Sequence, residues 1–72
     1  MTTNLHALPV RDVPWLLTEV DDGRVKVAFA RHAGVYYASA PDVVAALRDA
    51  AQAKRTVLAR YDLATKLIHE VL

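Results

Sequence analysis

The chain has 72 residues, 54% of them hydrophobic, with nine basic and eight acidic side chains that leave a formal charge of +1, and it contains no cysteine. A disulfide framework, a thiolate metal site and a cysteine nucleophile are thereby excluded, and the near-neutral balance gives no general attraction to polyanions or anionic membrane. What remains is one small globular domain whose core supplies only about 3 to 5 kcal/mol, so that a second copy is the expected source of further stability.

The opening segment, Met1 to Val13, mixes Thr, Asn and Pro with isolated apolar residues and shows neither helical nor strand periodicity. It reads as an N-terminal arm (1–13) preceding a single β-β-β-α domain (14–72). Met1-Thr2-Thr3-Asn4 has no basic start followed by an apolar run, and no stretch is long enough to span a bilayer. The expected setting is therefore cytoplasmic, with no membrane partner.

From Trp15 the chemistry becomes that of strands: Trp15 to Val20 and Arg24 to Arg31 flank Asp21-Asp22-Gly23, and Asp-Gly between such runs signals a hairpin. A two-residue turn at Asp22-Gly23 would set Asp21 against Arg24, Val20 against Val25, Glu19 against Lys26, Thr18 against Val27 and Leu16 against Phe29. Charged pairs then fall on one side and β-branched and aromatic residues on the other. A second turn is expected at His32-Ala33-Gly34, with Val35 to Ala38 as the third strand. Depending on loop length, Tyr37 faces either Ala30 or Phe29, which leaves open whether Tyr36 or Tyr37 is buried.

Ser39-Ala40-Pro41-Asp42 reads as a helix start, with Pro at the first helical position and an acidic residue in the first turn. Asp42 to Leu72 then runs without Gly or Pro, and Val43, Leu47, Ala50, Val57, Leu58, Tyr61, Ala64, Ile68 and Leu72 follow the three-and-four spacing of one helical stripe. The expected fold is α+β: a three-stranded antiparallel meander followed by one long C-terminal helix, kinked or folded into a helical hairpin near Lys54. Such a helix would measure about 46 Å against about 20 Å for a six-residue strand. Its overhang predicts a homodimer built on Leu47, Lys54, Leu58, Tyr61, Leu63, Leu67, Ile68 and Leu72.

No chemistry-bearing constellation stands out. His6, His32 and His69 lack the paired spacing of a metal site, Asp21 and Asp22 suit turn chemistry, and no phosphate loop or nucleophile-base ordering is visible. Neither an enzyme nor a cofactor is expected. Trp15, Leu17, Ala28 and Ala30 are expected to share the sheet face away from the helix, with Lys26 on its rim and Leu5 and Leu8 of the arm available to cover it. Arg31 beside Tyr36 suggests a cation-π pair. Trp15, Leu17, Lys26, Arg31, Tyr36 and Tyr37 form the expected partner-binding set of a small protein-binding regulator of the inhibitor, antitoxin or adaptor type.

Three strands followed by a helix resemble, in layout, the arm-binding domains of phage integrases and the AP2 plant domains, which implies the alternative of a DNA-binding regulator using a dimeric sheet or arm. The strand order with an acidic-Gly first turn also resembles small antitoxins of the HicB type. Their Pro-Asp-x-Pro segment is replaced here by Ala30-Arg31-His32-Ala33.

Overall fold

The computed structural model describes residues 8–20 and 22–72. Along the chain come β1 (Leu8–Asp12), β2 (Pro14–Glu19), β3 (Val25–Phe29), β4 (Tyr36–Ala38), α1 (Pro41–Ala53), β5 (Val57–Tyr61) and β6 (Leu67–Val71). The six strands form one mixed sheet in the order β1-β5-β6-β4-β3-β2, with β4 and β6 parallel and the other neighbours antiparallel. Its two edge strands, β1 and β2, are successive in the chain and separated only by Val13. A sheet whose opposite edges come from one stretch of chain must curl, and the result is a half-barrel with α1 packed against β2 and β6.

This corrects the expected meander with a long C-terminal helix. The helix begins where anticipated, with Pro41 in its first turn, but Ala40 is the N-cap and no side chain caps it. It ends at Lys54, which adopts the left-handed conformation (φ 55°). The Lys54 and Arg55 amides donate back to the Ala51 and Ala50 carbonyls at 3.3 and 2.9 Å, a Schellman closure with lysine where glycine is usual. The break expected near Lys54 is real, but a β-hairpin follows it.

The hairpin obeys a two-residue period: Val57, Ala59 and Tyr61 are buried while Leu58 and Arg60 alternate with them. Val57 and Tyr61 stand four apart and so satisfy both periods, and residues 55–72 contain β-branched Thr56, Val57, Ile68 and Val71 that favour strands. Its turn closes through the Lys66 amide, which donates to the Asp62 carbonyl at 2.7 Å, with Lys66 also left-handed (φ 63°). A helix-based dimer interface therefore has no helix beyond Ala53 to stand on, and the resemblance to integrase arm-binding, AP2 and HicB-type layouts falls with the meander.

The first hairpin exists, in a register one residue away from that expected. Glu19 pairs with Val25, Thr18 with Lys26, Leu17 with Val27 and Leu16 with Ala28. Val20 and Arg24 close a three-residue loop, the Val20 amide donating to the Arg24 carbonyl at 3.0 Å, and Gly23 (φ 85°) supplies its left-handed residue. The slip exchanges the faces of β2: Leu17 turns to the core and Leu16 and Thr18 turn out, while Val25, Val27 and Phe29 stay inside as expected. A bulge between Pro14 and Leu16 shifts the register by one residue, so that Pro14 pairs with Phe29 and Trp15 is left unpaired.

The second hairpin has a six-residue connection, because Val27 pairs with Tyr36 and Lys26 with Tyr37. Tyr36 is therefore the buried tyrosine, 6% exposed, and Tyr37 the outer, half-buried one. Tyr36 meets Phe29 and Tyr61 edge to face at centroid distances of 5.4 and 4.8 Å. Val27, Ala38, Leu47, Ala50, Ala59 and Ile68 complete the best-buried part of the core. Within the segment read as an arm, Leu8–Asp12 is β1, paired with β5 from Leu8 against Tyr61 to Asp12 against Val57. Leu5 and His6 lie outside the described residues.

Candidate functional site

Strand alternation puts Lys26 and Ala28 of β3 on the outer face, beside Tyr37 of β4 and Leu16 and Thr18 of β2. Lys26 and Tyr37 are direct cross-strand partners, and Tyr37 is followed across the sheet by Leu67 of β6. The Arg24 guanidinium lies over the Tyr37 ring, 4.3 Å from its centroid, and its Nε donates to Asp22 Oδ2 at 2.7 Å. That bond holds the Asp22 carboxyl below the usual carboxylate range and raises the guanidinium. Arg24 is thus charge-balanced and lies over an aromatic ring, whereas Lys26, two residues on in β3, is exposed. The combination of one fixed planar cation, one aromatic ring and one exposed ammonium suits stacking and anion contact rather than bond chemistry.

At the far end of β2 the bulge exposes two large apolar side chains in succession, Trp15 at 58% and Leu16 at 60%. Beside them a hollow of about 320 Å³ runs between β2 and the C-terminal half of α1.

A different kind of site lies where β1 turns into β2. Asp12 is 4% exposed, and its carboxylate accepts hydrogen bonds from the amides of Val13, Arg31 and His32 at 2.7, 2.7 and 3.1 Å, with His32 Nδ1 3.1 Å from Oδ2. Burial pushes its pKa up, but the His32 ring and the three amides outweigh that and hold it at about 2. Sequence spacing carries no hint of this residue, because two of its three amide donors, Arg31 and His32, stand 19 and 20 positions away. Its chemistry is structural: it fastens the connection between β3 and β4 to the corner of the first strand.

Of the expected partner-binding residues, Lys26 and Tyr37 come together on the outer face and Trp15 stands at its end. Leu17 packs against the core, Tyr36 is in it, and Arg31 is exposed on the loop tied to Asp12. The cation near Tyr36 is the Lys66 ammonium, 5.9 Å from its ring and 5.5 Å from that of Tyr61. Burial, with Tyr61 adding, raises the Tyr36 phenol. Arg24, missed as a stacking residue because it was read as the partner of Asp21, is signalled by its place at the loop end diagonal to Tyr37.

The expected dimer residues scatter. Leu47, Tyr61 and Ile68 are core, Leu58 and Leu67 are half-buried strand residues, Leu63 and Leu72 are exposed, and Lys54 closes the helix. Among the described residues no three His, Asp or Glu side chains cluster as a metal site, and no helix is long and apolar enough to cross a membrane. No family model, curated protein or solved structure matches the chain.

Proposed function

We propose that the chain is a non-catalytic binding domain that takes single-stranded nucleic acid across the outer face of β3 and β4. The observation that carries this reading is the Arg24 guanidinium stacked on Tyr37 beside the exposed Lys26. A base can stack on the outer plane of the guanidinium or the free part of the ring, and Lys26 meets the adjoining phosphate.

Connectivity supports the same face. Counted as two halves of one bent strand, β1 and β2 make the first of five strands in the spatial order first, fourth, fifth, third, second, first. The third and fifth are parallel and a helix joins the third to the fourth. That is the wiring of the OB barrel, whose second and third strands, here β3 and β4, form the usual ligand face. The wiring is a likeness of fold alone, and Arg24, Lys26 and Tyr37 supply the chemistry.

Charge limits the affinity. With Asp22 neutralising Arg24, Lys26 engages about one phosphate, so the logarithm of the binding constant falls against log salt with a slope of roughly −0.7. Fluorescence anisotropy of a labelled oligothymidylate titrated with the protein tests this. Tyr37→Ala and Lys26→Glu are each expected to lower affinity about tenfold, the loss of one stacked base or one phosphate contact. Unchanged affinity in both variants, with the fold intact by circular dichroism, sinks the reading.

A protein-binding module of the inhibitor, antitoxin or adaptor kind is the second reading, favoured by the adjacent exposure of Trp15 and Leu16. Capture that is indifferent to salt and abolished by Trp15→Ala separates it from the first.

A further inference from the structure

The face formed by β2 and the C-terminal half of α1 carries both members of every complementary pair that an interface needs. Trp15 and Leu16 project from the bulge, and next to them lies the hollow of about 320 Å³, lined by Leu17, Arg48, Ala51 and Gln52 together with Trp15 and Leu16 themselves. Arg48 reaches Glu19 Oε2 at 3.4 Å, and both side chains are exposed. A knob lies beside a hole, and a cation beside an anion.

We propose that this face docks a second copy of the chain about a twofold axis. In such an isologous contact each patch meets itself, so that Trp15 of each protomer enters the hollow of the other beside Leu17 and Ala51. Arg48 of each then faces Glu19 of the other. A different partner would have to supply a knob or a hole, a cation or an anion, and the patch has no excess of charge by which to select it. Self-association uses all four features at once.

The contact is centred on Trp15 and Leu16 at the Phe29 end of the β2 and β3 ladder, and its Arg48 and Glu19 rim reaches towards Arg24 at the opposite end. The inference is independent of the nucleic-acid reading and survives its failure.

Trp15 is the one tryptophan of the chain, so its emission reports this face alone. The full chain is examined by sedimentation equilibrium and tryptophan fluorescence from about 10 to about 500 μM, since association follows mass action. The expected result is a monomer-dimer equilibrium in which Trp15 emission shifts to the blue in step with the dimer fraction. Trp15→Ala, an exposed substitution that leaves the core untouched, is expected to stay monomeric over the same range. Arg48→Glu is expected to weaken the dimer about tenfold and the Arg48→Glu, Glu19→Arg double variant to recover it. A monomer throughout, or a dimer whose strength and Trp15 emission ignore these changes, overturns the proposal.

Discussion

Asp12 and Lys54 show how much can depend on a single side chain that has no conspicuous neighbours in sequence. The Asp12 carboxylate accepts from three amides, so its folded pKa of about 2 lies below its ordinary 3.8. A depressed carboxylate stabilises the fold fully above its unfolded pKa, and the contribution disappears as pH falls through the folded one. Urea midpoints measured from about pH 5 downward are therefore expected to fall between about pH 4 and pH 2, and the Asp12→Asn variant, lower in stability at neutral pH, is expected to lack that component of the decline. Lys54 carries a Cβ into the left-handed region at the helix end. Lys54→Gly is expected to stabilise the protein by about 1 kcal/mol, read as a higher urea midpoint at unchanged slope. The same change at Lys66 has a compensating loss, since its ammonium lies over Tyr36 and Tyr61.

At the scale of elements, the chain was legible where a signal had a single meaning. Val25, Val27 and Phe29 alternate without ambiguity, and Pro41 marks the helix start; both features hold. The segment after Lys54 was not legible, because its turns use lysines where glycine would have announced them and because Val57 and Tyr61 fit a helix and a strand equally. The first hairpin lay between these cases: Asp22-Gly23 located the turn, but loop length set the face of β2, and one residue of loop moved Leu17 inward and Leu16 outward. The outer face of β3 and β4 shared that fate. Lys26 and Tyr37 were named from strand chemistry, while their pairing with Arg24 needed the loop geometry. Far-UV circular dichroism distinguishes the two architectures, since 13 of the described residues are helical and a spectrum dominated by a helix running to the chain end would contradict the sheet. Within α1, Leu47 is fully buried, and Leu47→Ala is expected to cost about 2 to 5 kcal/mol in chemical denaturation.

For the whole molecule, the decisive pairing is that of β1 with β5, which joins Leu8 to Tyr61 and Asp12 to Val57 across most of the chain. Closing so long a loop precedes the reward of the contacts it brings, so refolding is expected in milliseconds to seconds; a relaxation in microseconds would contradict the topology. Val13 has a consequence for growth as well as for folding. Because the strands on its two sides are the two rims of the sheet, the rims converge on one point instead of ending as parallel open borders, and α1 flanks the β2 side. A strand annealing along one rim is led at Val13 into the chain's own backbone, with the Ala30 amide already bonded to the Val13 carbonyl at 2.9 Å. Endless edge-to-edge stacking, the hazard of open sheets, has no repeating lattice here. An assembly of copies, if one forms, is left to the faces of the sheet and so to a closed number.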